Sequence, residues 1–160
     1  MNINDYVEFI RKKHGEQKRI QGTLYYLHPV AVSKILESKG FSKDYQIAGL
    51  MHDLLEDTDT TYDELLGISN IEIAEAVRLV TKEENYNMFE YMDRIKKNYM
   101  ARMVKLADRI HNLSEVHLAS ERFQDKYIRE TERWFIDLAT GTVFEQDLKD
   151  ILQRFKTRTL

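Results

Sequence analysis

The chain has 160 residues, of which 42% are hydrophobic and 32% charged, a composition typical of one folded domain with one core. The balance of 24 basic against 27 acidic residues gives a net charge of −3 and argues against a general nucleic-acid-binding surface. Because cysteine is absent, disulfide frameworks and thiolate zinc sites are excluded. No apolar run approaches the roughly 20 residues that span a bilayer, and the N-terminus lacks the pattern of a signal peptide, so we expect a cytoplasmic protein without a membrane partner.

Apolar residues recur with a helical period along almost the whole chain. One proline and six glycines leave little room for strands and tight turns. We therefore predict an all-α helical bundle that forms a single domain over residues 1–160. The predicted helices cover, in chain order, residues 3–13, 29–40, 43–57, 61–66, 71–80, 88–97, 100–116, 122–139 and 144–155.

The third predicted helix carries two pairs of ionisable residues, His52–Asp53 and, four residues later, Glu56–Asp57. Positions four apart share one face of a helix, so the four groups form one patch beside an apolar stripe. Such a patch is unfavourable unless a cation lies there, because burial and carboxylate repulsion both oppose charge. Ala48 and Gly49 are small enough to leave room for a bound group. The alternative interpretation is the solvated face of an ordinary surface helix.

Two further segments carry side chains suited to metal binding. His28 comes where the chain enters the second predicted helix, and Asp108 and Asn112 lie four apart on an amphipathic helix. Together with His52–Asp53, these segments supply two imidazoles and two carboxylates, which suit a divalent ion such as Mn²⁺, Fe²⁺, Co²⁺ or Zn²⁺. The alternatives are that His28 caps its helix and that Asp108 is an exposed carboxylate paired with Lys105.

These segments resemble the HD-domain metal-dependent phosphohydrolases, whose H…HD…D signature is matched by His28, His52–Asp53 and Asp108. The finer resemblance is to the hydrolase domain of the RelA/SpoT alarmone enzymes and to their small stand-alone relatives, including the metazoan SpoT homologue. The matching stretches are HGEQKRIQGTLYYLHP, MHDLLEDTDTTYDEL, VKLADRIHNL and KYIRETERWFIDLA. They follow in family order over residues 14–139. The resemblance implies an HD-domain helical bundle and a metal-dependent hydrolase.

The resemblance also implies one divalent ion, for which we favour Mn²⁺ over Fe²⁺, Co²⁺, Zn²⁺ and Mg²⁺. The predicted ligands are His28, His52, Asp53 and Asp108. Four protein ligands leave positions open for water and substrate, as a catalytic metal requires. The neighbouring carboxylates of Glu56 and Asp57 are then predicted to activate the attacking water or to transfer a proton. Asp57 could instead brace the turn that follows.

Two residues are predicted to contact the nucleoside part of a substrate. In alarmone hydrolases the arginine at the position of Arg19 stacks on guanine, and Asn112 lies one helical turn beyond a predicted ligand. The alternative for Arg19 is a solvated loop residue. The chain departs from the family pattern at Glu16, Ile20 and Leu24, where many members have Gly, Lys and Pro. These departures fall on the side of base recognition, so adenine-containing substrates remain alternatives.

The function that the resemblance implies is hydrolysis of (p)ppGpp with loss of its 3′-pyrophosphate. The alternatives are hydrolysis of another nucleotide, such as (p)ppApp, NADPH or a nucleoside monophosphate, and a non-catalytic HD module that senses a nucleotide. The sequence has no glycine-rich phosphate loop, so chemistry through a P-loop is not expected. We also expect no synthetase activity, since the 160 residues leave no room for the synthetase domain of the bifunctional enzymes.

Overall fold

The computed structural model describes residues 1–158, and these form the predicted all-α architecture. The helices are, in chain order, α1 (Ile3–His14), α2 (Leu27–Ser38), α3 (Lys43–Met51), α4 (Leu54–Asp57), α5 (Tyr62–Ile68), α6 (Ile71–Val80), α7 (Met88–Lys96), α8 (Tyr99–Glu115), α9 (Glu121–Glu130), α10 (Ile136–Ala139) and α11 (Glu145–Arg158). A 3₁₀ turn (Val116–Leu118) follows α8, and a π-helical turn (Thr131–Phe135) joins α9 to α10. No helix within residues 1–158 combines the length and the apolar character needed to cross a membrane.

Helix α8 lies at the centre of the fold. It packs against α2, α3, α6 and α7, and its residues Ala101, Met103 and Leu106 are completely buried. The apolar face of this amphipathic helix is buried because it has neighbours on several sides. Asp108 is buried on this helix, so the interpretation of an exposed surface carboxylate is wrong.

Helix α2 begins at Leu27, two residues before the predicted start at Pro29. Proline is tolerated there because amide groups in the first turn of a helix have no intrahelical acceptor. His28 therefore lies inside the first turn of α2 and does not act as the residue that caps it. Its side chain is buried, which places it beneath the surface at one end of the helix.

Helices α2 and α3 approach each other closely at Gly49. A Cβ atom at this position would lie 2.9 Å from Cδ1 of Leu36 and 3.4 Å from Cα of Ser33. Ala48 is also completely buried. The expectation that these two small residues leave room for a bound group is therefore wrong, because they allow two helices to pack tightly. That packing brings the N-terminal end of α2 beside the C-terminal end of α3.

The third predicted helix is interrupted at the two residues His52 and Asp53. Helix α3 ends at Met51, and α4 begins at Leu54. The Nδ1 atom of His52 donates a hydrogen bond of 2.7 Å to the carbonyl oxygen of Gly49. In an uninterrupted α-helix that carbonyl would accept the amide of Asp53. The prediction of one continuous helix through both ionisable pairs is thus wrong, and the interruption lets His52 and Asp53 turn toward a common point.

Only half of a capping box forms at the start of α5. Thr61 Oγ1 accepts the backbone N–H of Glu64 at 3.1 Å, as such a cap requires. The carboxylate of Glu64 lies 3.1 Å from Nζ of Lys13. The acid therefore takes part in an ion pair that ties α5 to α1.

Candidate active site

The four predicted metal ligands converge although they come from three separate parts of the chain. The Nε2 atom of His28 is 2.8 Å from Oδ1 of Asp108 and 3.8 Å from Oδ2 of Asp53. The Nε2 atom of His52 is 3.1 Å from the same oxygen of Asp53 and 3.4 Å from that of Asp108. Both imidazoles and the Asp108 carboxylate are buried. One donor atom each from His28, His52 and Asp108 lies within 4.8 Å of the others, and Asp53 joins this group through its contacts with the two imidazoles. These four residues are called the histidine–aspartate cluster below.

The donor atoms at this point suit a divalent cation. Because Nδ1 of His52 donates to a backbone carbonyl, its Nε2 atom has a lone pair aimed at two carboxylates. Within residues 1–158 this buried Nε2 atom has no hydrogen-bond partner. Burial opposes protonation of His52, but the carboxylates of Asp53 and Asp108 outweigh it and raise the pKa well above its usual value. A cluster that attracts a proton so strongly is also one that a metal ion satisfies.

Asp108 uses its two oxygens for different partners. Its Oδ1 atom faces the two histidines, while Oδ2 lies 3.2 Å from Nζ of Lys105. Burial raises the pKa of Asp108, but the Lys105 ammonium and His52 oppose it, and the net result lies well below the usual range. The ion pair with Lys105 that the sequence suggested as an alternative therefore exists together with the contacts to the histidines.

Glu56 and Asp57 lie beside the cluster and outside its buried part. One carboxylate oxygen from each, together with one from Asp53, lies within 4.8 Å of the others. Oε1 of Glu56 accepts the backbone N–H of Lys82 at 2.7 Å. Partial burial, followed by repulsion from Asp53 and Glu56, raises the pKa of Asp57 to about 6. Both acids are close enough to act on a group bound at the cluster.

Arg19 and Asn112, the two predicted nucleoside contacts, touch each other. Nη2 of Arg19 donates to Oδ1 of Asn112 at 2.7 Å, and Nδ2 of Asn112 donates to Oδ1 of Asp108 at 3.1 Å. The guanidinium carbon of Arg19 is 6.0 Å from the centre of the Tyr25 ring. The hydroxyl of Tyr25 donates to Oδ2 of Asp53 at 2.9 Å. Asn112 thus contacts a predicted ligand directly, and Arg19 is connected to the ligands through Asn112 and Tyr25.

A cavity of about 300 Å³ opens beside the histidine–aspartate cluster and extends to Glu56. Four of its lining residues carry a positive charge, namely Lys82, Lys105, Arg109 and Lys126. Cations arranged around a metal site suit a ligand with several phosphate groups. Sequence analysis did not identify these residues as site residues, since no spacing relates Lys82 after α6 to Lys126 on α9.

A second cavity of about 370 Å³ adjoins the first one. Four residues line both cavities, namely Tyr25, Asn112, Phe123 and Tyr127. Arg19 lines only the second cavity, together with apolar side chains that include Ile20 and Leu118. A mainly apolar cavity next to a cationic one can hold the base of a nucleotide whose phosphates lie in the other.

Arg109 holds α9 against the cavity through the π-helical turn. Its guanidinium carbon is 3.9 Å from the centres of the rings of both Tyr127 and Phe135. Residues eight apart on an α-helix point about 80° away from each other, and the extra residue of a π turn largely removes this difference. Nη2 and Nη1 of Arg109 donate to Glu130 at 2.8 Å and to Thr131 at 3.3 Å. Both rings can therefore stack on one guanidinium, which fixes the wall of both cavities.

His111 is partly buried and contacts His28 and Glu115. Its Nδ1 atom is 2.7 Å from Nδ1 of His28. Burial, followed by the neighbouring His28, lowers the pKa of His111 to about 4. Arg109 lines the first cavity, and His111 contacts a predicted ligand.

Comparison with known proteins identifies the family of the chain. Residues 7–141 match the family model described as HD domain. Over 145 residues, the chain is 31% identical to the guanosine-3′,5′-bis(diphosphate) 3′-pyrophosphohydrolase MESH1 of Danio rerio, and the match covers 84% of this chain and 81% of that protein. Over 143 residues, it is 34% identical to the enzyme of the same activity name from Aquifex aeolicus. That match covers 82% of this chain and spans only 20% of the much longer relative.

The solved structure of a metazoan orthologue of SpoT has the same fold. It superimposes with a TM-score of 0.83 at 24% identity, covering 94% of this chain and 93% of that one. A protein of Listeria monocytogenes superimposes with a TM-score of 0.67 at 22% identity, covering 81% and 95%. The predicted helical bundle is thereby confirmed. From the match over residues 7–141 and the extended similarity to the Danio rerio protein, the chain belongs to the HD domain family.

Proposed function

We propose that the protein is a divalent-metal-dependent phosphohydrolase that converts guanosine-3′,5′-bis(diphosphate) to GDP and pyrophosphate. The observation that carries this proposal is the cavity in which the histidine–aspartate cluster faces four cationic side chains. The relatives from Danio rerio and Aquifex aeolicus are both named 3′-pyrophosphohydrolases of this nucleotide. A substrate with two diphosphate groups complements a metal site surrounded by lysine and arginine.

The proposed ion is Mn²⁺, with Fe²⁺, Co²⁺, Zn²⁺ and Mg²⁺ as alternatives, because imidazole and carboxylate ligands suit several of these ions. The residues that would hold it are His28, His52, Asp53 and Asp108. A bound ion would polarise the 3′-phosphate and lower the pKa of a coordinated water to about 7. The absence of cysteine among the donors is consistent with a catalytic and not a structural site.

The side chains around the cluster have separate proposed tasks. Glu56, whose Oε1 atom is held by the amide of Lys82, orients the attacking water and accepts its proton. Asp57, with a pKa raised to about 6, is placed to return a proton to the leaving 3′-oxygen. Lys82 and Lys126 bind the pyrophosphate and stabilise the charge that develops as the phosphorus–oxygen bond breaks.

The nucleoside would occupy the second cavity. Its base would lie against the guanidinium of Arg19, and Asn112 lies at the junction with the first cavity. The side chain of Ile20 is 95% exposed and cannot replace the charge of the lysine that many family members have at this position. The charge that the family lysine would supply on this side of the cavity is therefore missing, and adenine remains an alternative to guanine.

A turnover assay with purified protein tests the proposal. Metal-stripped protein is loaded with Mn²⁺ and incubated with ppGpp, ppApp, NADPH and a panel of nucleoside monophosphates. We expect release of pyrophosphate from ppGpp, dependent on the metal and abolished by a chelator. Turnover of NADPH or of a monophosphate but not of ppGpp would replace the substrate assignment. Tight binding of a nucleotide without hydrolysis of any substrate would instead indicate a sensing module.

The role of Arg19 can be measured separately. Arg19→Ala is expected to raise KM for ppGpp with little change in kcat, because a stacking contact to the base is the same in the ground state and the transition state. The expected cost is about 1–2 kcal/mol, a rise in KM of roughly 5- to 30-fold. Lys12→Ala, which removes an exposed charge from α1, is the control and should leave KM unchanged. If KM is unchanged in Arg19→Ala for guanine and adenine substrates alike, Arg19, in the loop between α1 and α2, does not contact the base.

A further inference from the structure

A chain of polar contacts runs from His28 away from the cluster. Nδ1 of His28 faces Nδ1 of His111 at 2.7 Å, and the two ring centres are 4.9 Å apart. The other ring nitrogen of His111, Nε2, lies 3.3 Å from Oε1 of Glu115, one helical turn later on α8. Only one proton fits between two ring nitrogens at hydrogen-bond distance. The contact therefore links the tautomer of one ring to that of the other.

Only one set of tautomers leaves His28 able to bind a cation. If Nε2 of His28 carries the proton, that proton points at Oδ1 of Asp108, 2.8 Å away, and blocks the position of the ion. If the proton is on Nδ1, it is donated to Nδ1 of His111. His111 must then carry its own proton on Nε2, and that proton faces the carboxylate of Glu115. A negative group beyond His111 therefore favours the binding-competent tautomer of His28.

Glu115 also contacts the loop that joins α1 to α2. Its Oε2 atom accepts a hydrogen bond from Nε2 of Gln21 and lies 3.3 Å from Nε of Arg19. Arg19 and Gln21 both line the second cavity. One carboxylate thus connects the wall of this cavity to the imidazole that faces the cluster.

We propose that His111 and Glu115 are positioning residues that set the tautomer and the direction of His28 for metal binding, and that anchor the 15–26 loop to the same point. The inference rests on the proposed role of His28 as a ligand. It assigns no chemical step to either residue. Because Nε2 of His111 is directed at Glu115, the structure gives His111 no position as an additional ligand.

Metal affinity is the direct readout. The affinity of metal-free protein for Mn²⁺ is measured by competition with a chelator, without substrate. His111→Ala should weaken binding by roughly 10- to 100-fold, the range observed when a partner of a metal-ligating histidine is removed. His111→Asn should restore most of the affinity, because the amide Oδ1 atom takes the place of Nδ1 and can accept the proton of His28. Glu115→Ala should fall between wild type and His111→Ala.

A matched control is a second pair of residues four positions apart, like His111 and Glu115, that lies away from the cluster. Asp93 and Lys97 form an ion pair four residues apart around the end of α7, at 2.8 Å and away from the cluster. Asp93→Ala should bind Mn²⁺ as tightly as wild type does. Wild-type affinity in His111→Ala, with tight binding in the wild type, would overturn the positioning role and leave the proposed function intact. A wild-type protein that does not bind Mn²⁺ would refute both.

A spectroscopic test needs no substitution and so applies even if a variant fails to fold. Wild-type protein labelled with ¹⁵N at histidine is loaded with diamagnetic Zn²⁺, and NMR identifies the protonated nitrogen of each ring. We expect the proton of His28 on Nδ1 and that of His111 on Nε2. A His111 ring protonated at Nδ1 in the loaded protein would contradict the proposal, because it could not then accept from His28.

Discussion

Replacement of Asp53 by alanine is expected to remove most of the bound metal. Its Oδ2 atom is 3.1 Å from Nε2 of His52 and 3.8 Å from Nε2 of His28, so all three atoms could bind the same cation. The variant keeps two imidazoles and one carboxylate, so its remaining ligands carry half the negative charge of the wild-type set. Loss of a ligand should weaken binding by more than the roughly 10- to 100-fold that loss of a ligand's partner costs. Elemental analysis after gel filtration gives the metal content per chain.

The control for this change is Asp59→Ala, which removes a nearby aspartate whose side chain is 90% exposed. This variant should retain the metal content of the wild type. Thermal unfolding of both metal-free variants separates metal loss from misfolding. If Asp53→Ala binds metal at wild-type stoichiometry and affinity, Asp53 is not a ligand. The cluster of His28, His52 and Asp108 would then be the complete set of protein ligands.

Replacement of Glu56 by glutamine is expected to lower kcat while metal binding is retained. The change preserves the shape of the side chain and an oxygen for the amide of Lys82, but it removes the base. Loss of a general acid or base typically costs 10²- to 10⁴-fold in rate, so kcat should fall within roughly this range. Steady-state kinetics with Mn²⁺-loaded protein, combined with metal analysis of the same sample, tests both parts of the expectation.

Asp57→Asn distinguishes between the two neighbouring acids. If Glu56 is the base and Asp57 the acid, Asp57→Asn should also lower kcat for ppGpp, and it should remove the fall in kcat at high pH that follows deprotonation of Asp57, whose pKa is about 6. Glu72→Gln, a change at an exposed acid on α6, controls for removal of a charge. Activity within about twofold of wild type in Glu56→Gln would rule out the proposed role, since general acid–base catalysis contributes far more. A large loss in Asp57→Asn alone would then transfer the role to that residue.

The helical periods in the sequence predicted the fold well where one helix has one buried face. Helix α6 has the predicted bounds, and α8 begins and ends one residue earlier than predicted. The errors occur where side chains compete with the backbone or where two helices meet. The side chain of His52 hydrogen-bonds to the carbonyl of Gly49, and the third predicted helix is broken there. The predicted helix over residues 122–139 contains a π-helical turn, which lets its aromatic rings stack on Arg109 of α8. A hydrogen bond from a side chain and a cation between two rings leave no periodic signal in sequence.

The sequence by itself determined the all-α class, because a helical period is a property of short segments, and its resemblance to the HD signature named the four residues that meet at the cluster. Only the tertiary structure showed that Lys82 and Lys126 face the same cavity, that His111 stands behind His28, and that Glu115 contacts the loop before α2. These groups are separated by tens of residues or lie on different helices. Their proximity depends on how α8 packs against α2 and how Arg109 holds α9, and those contacts exist only after the chain has folded.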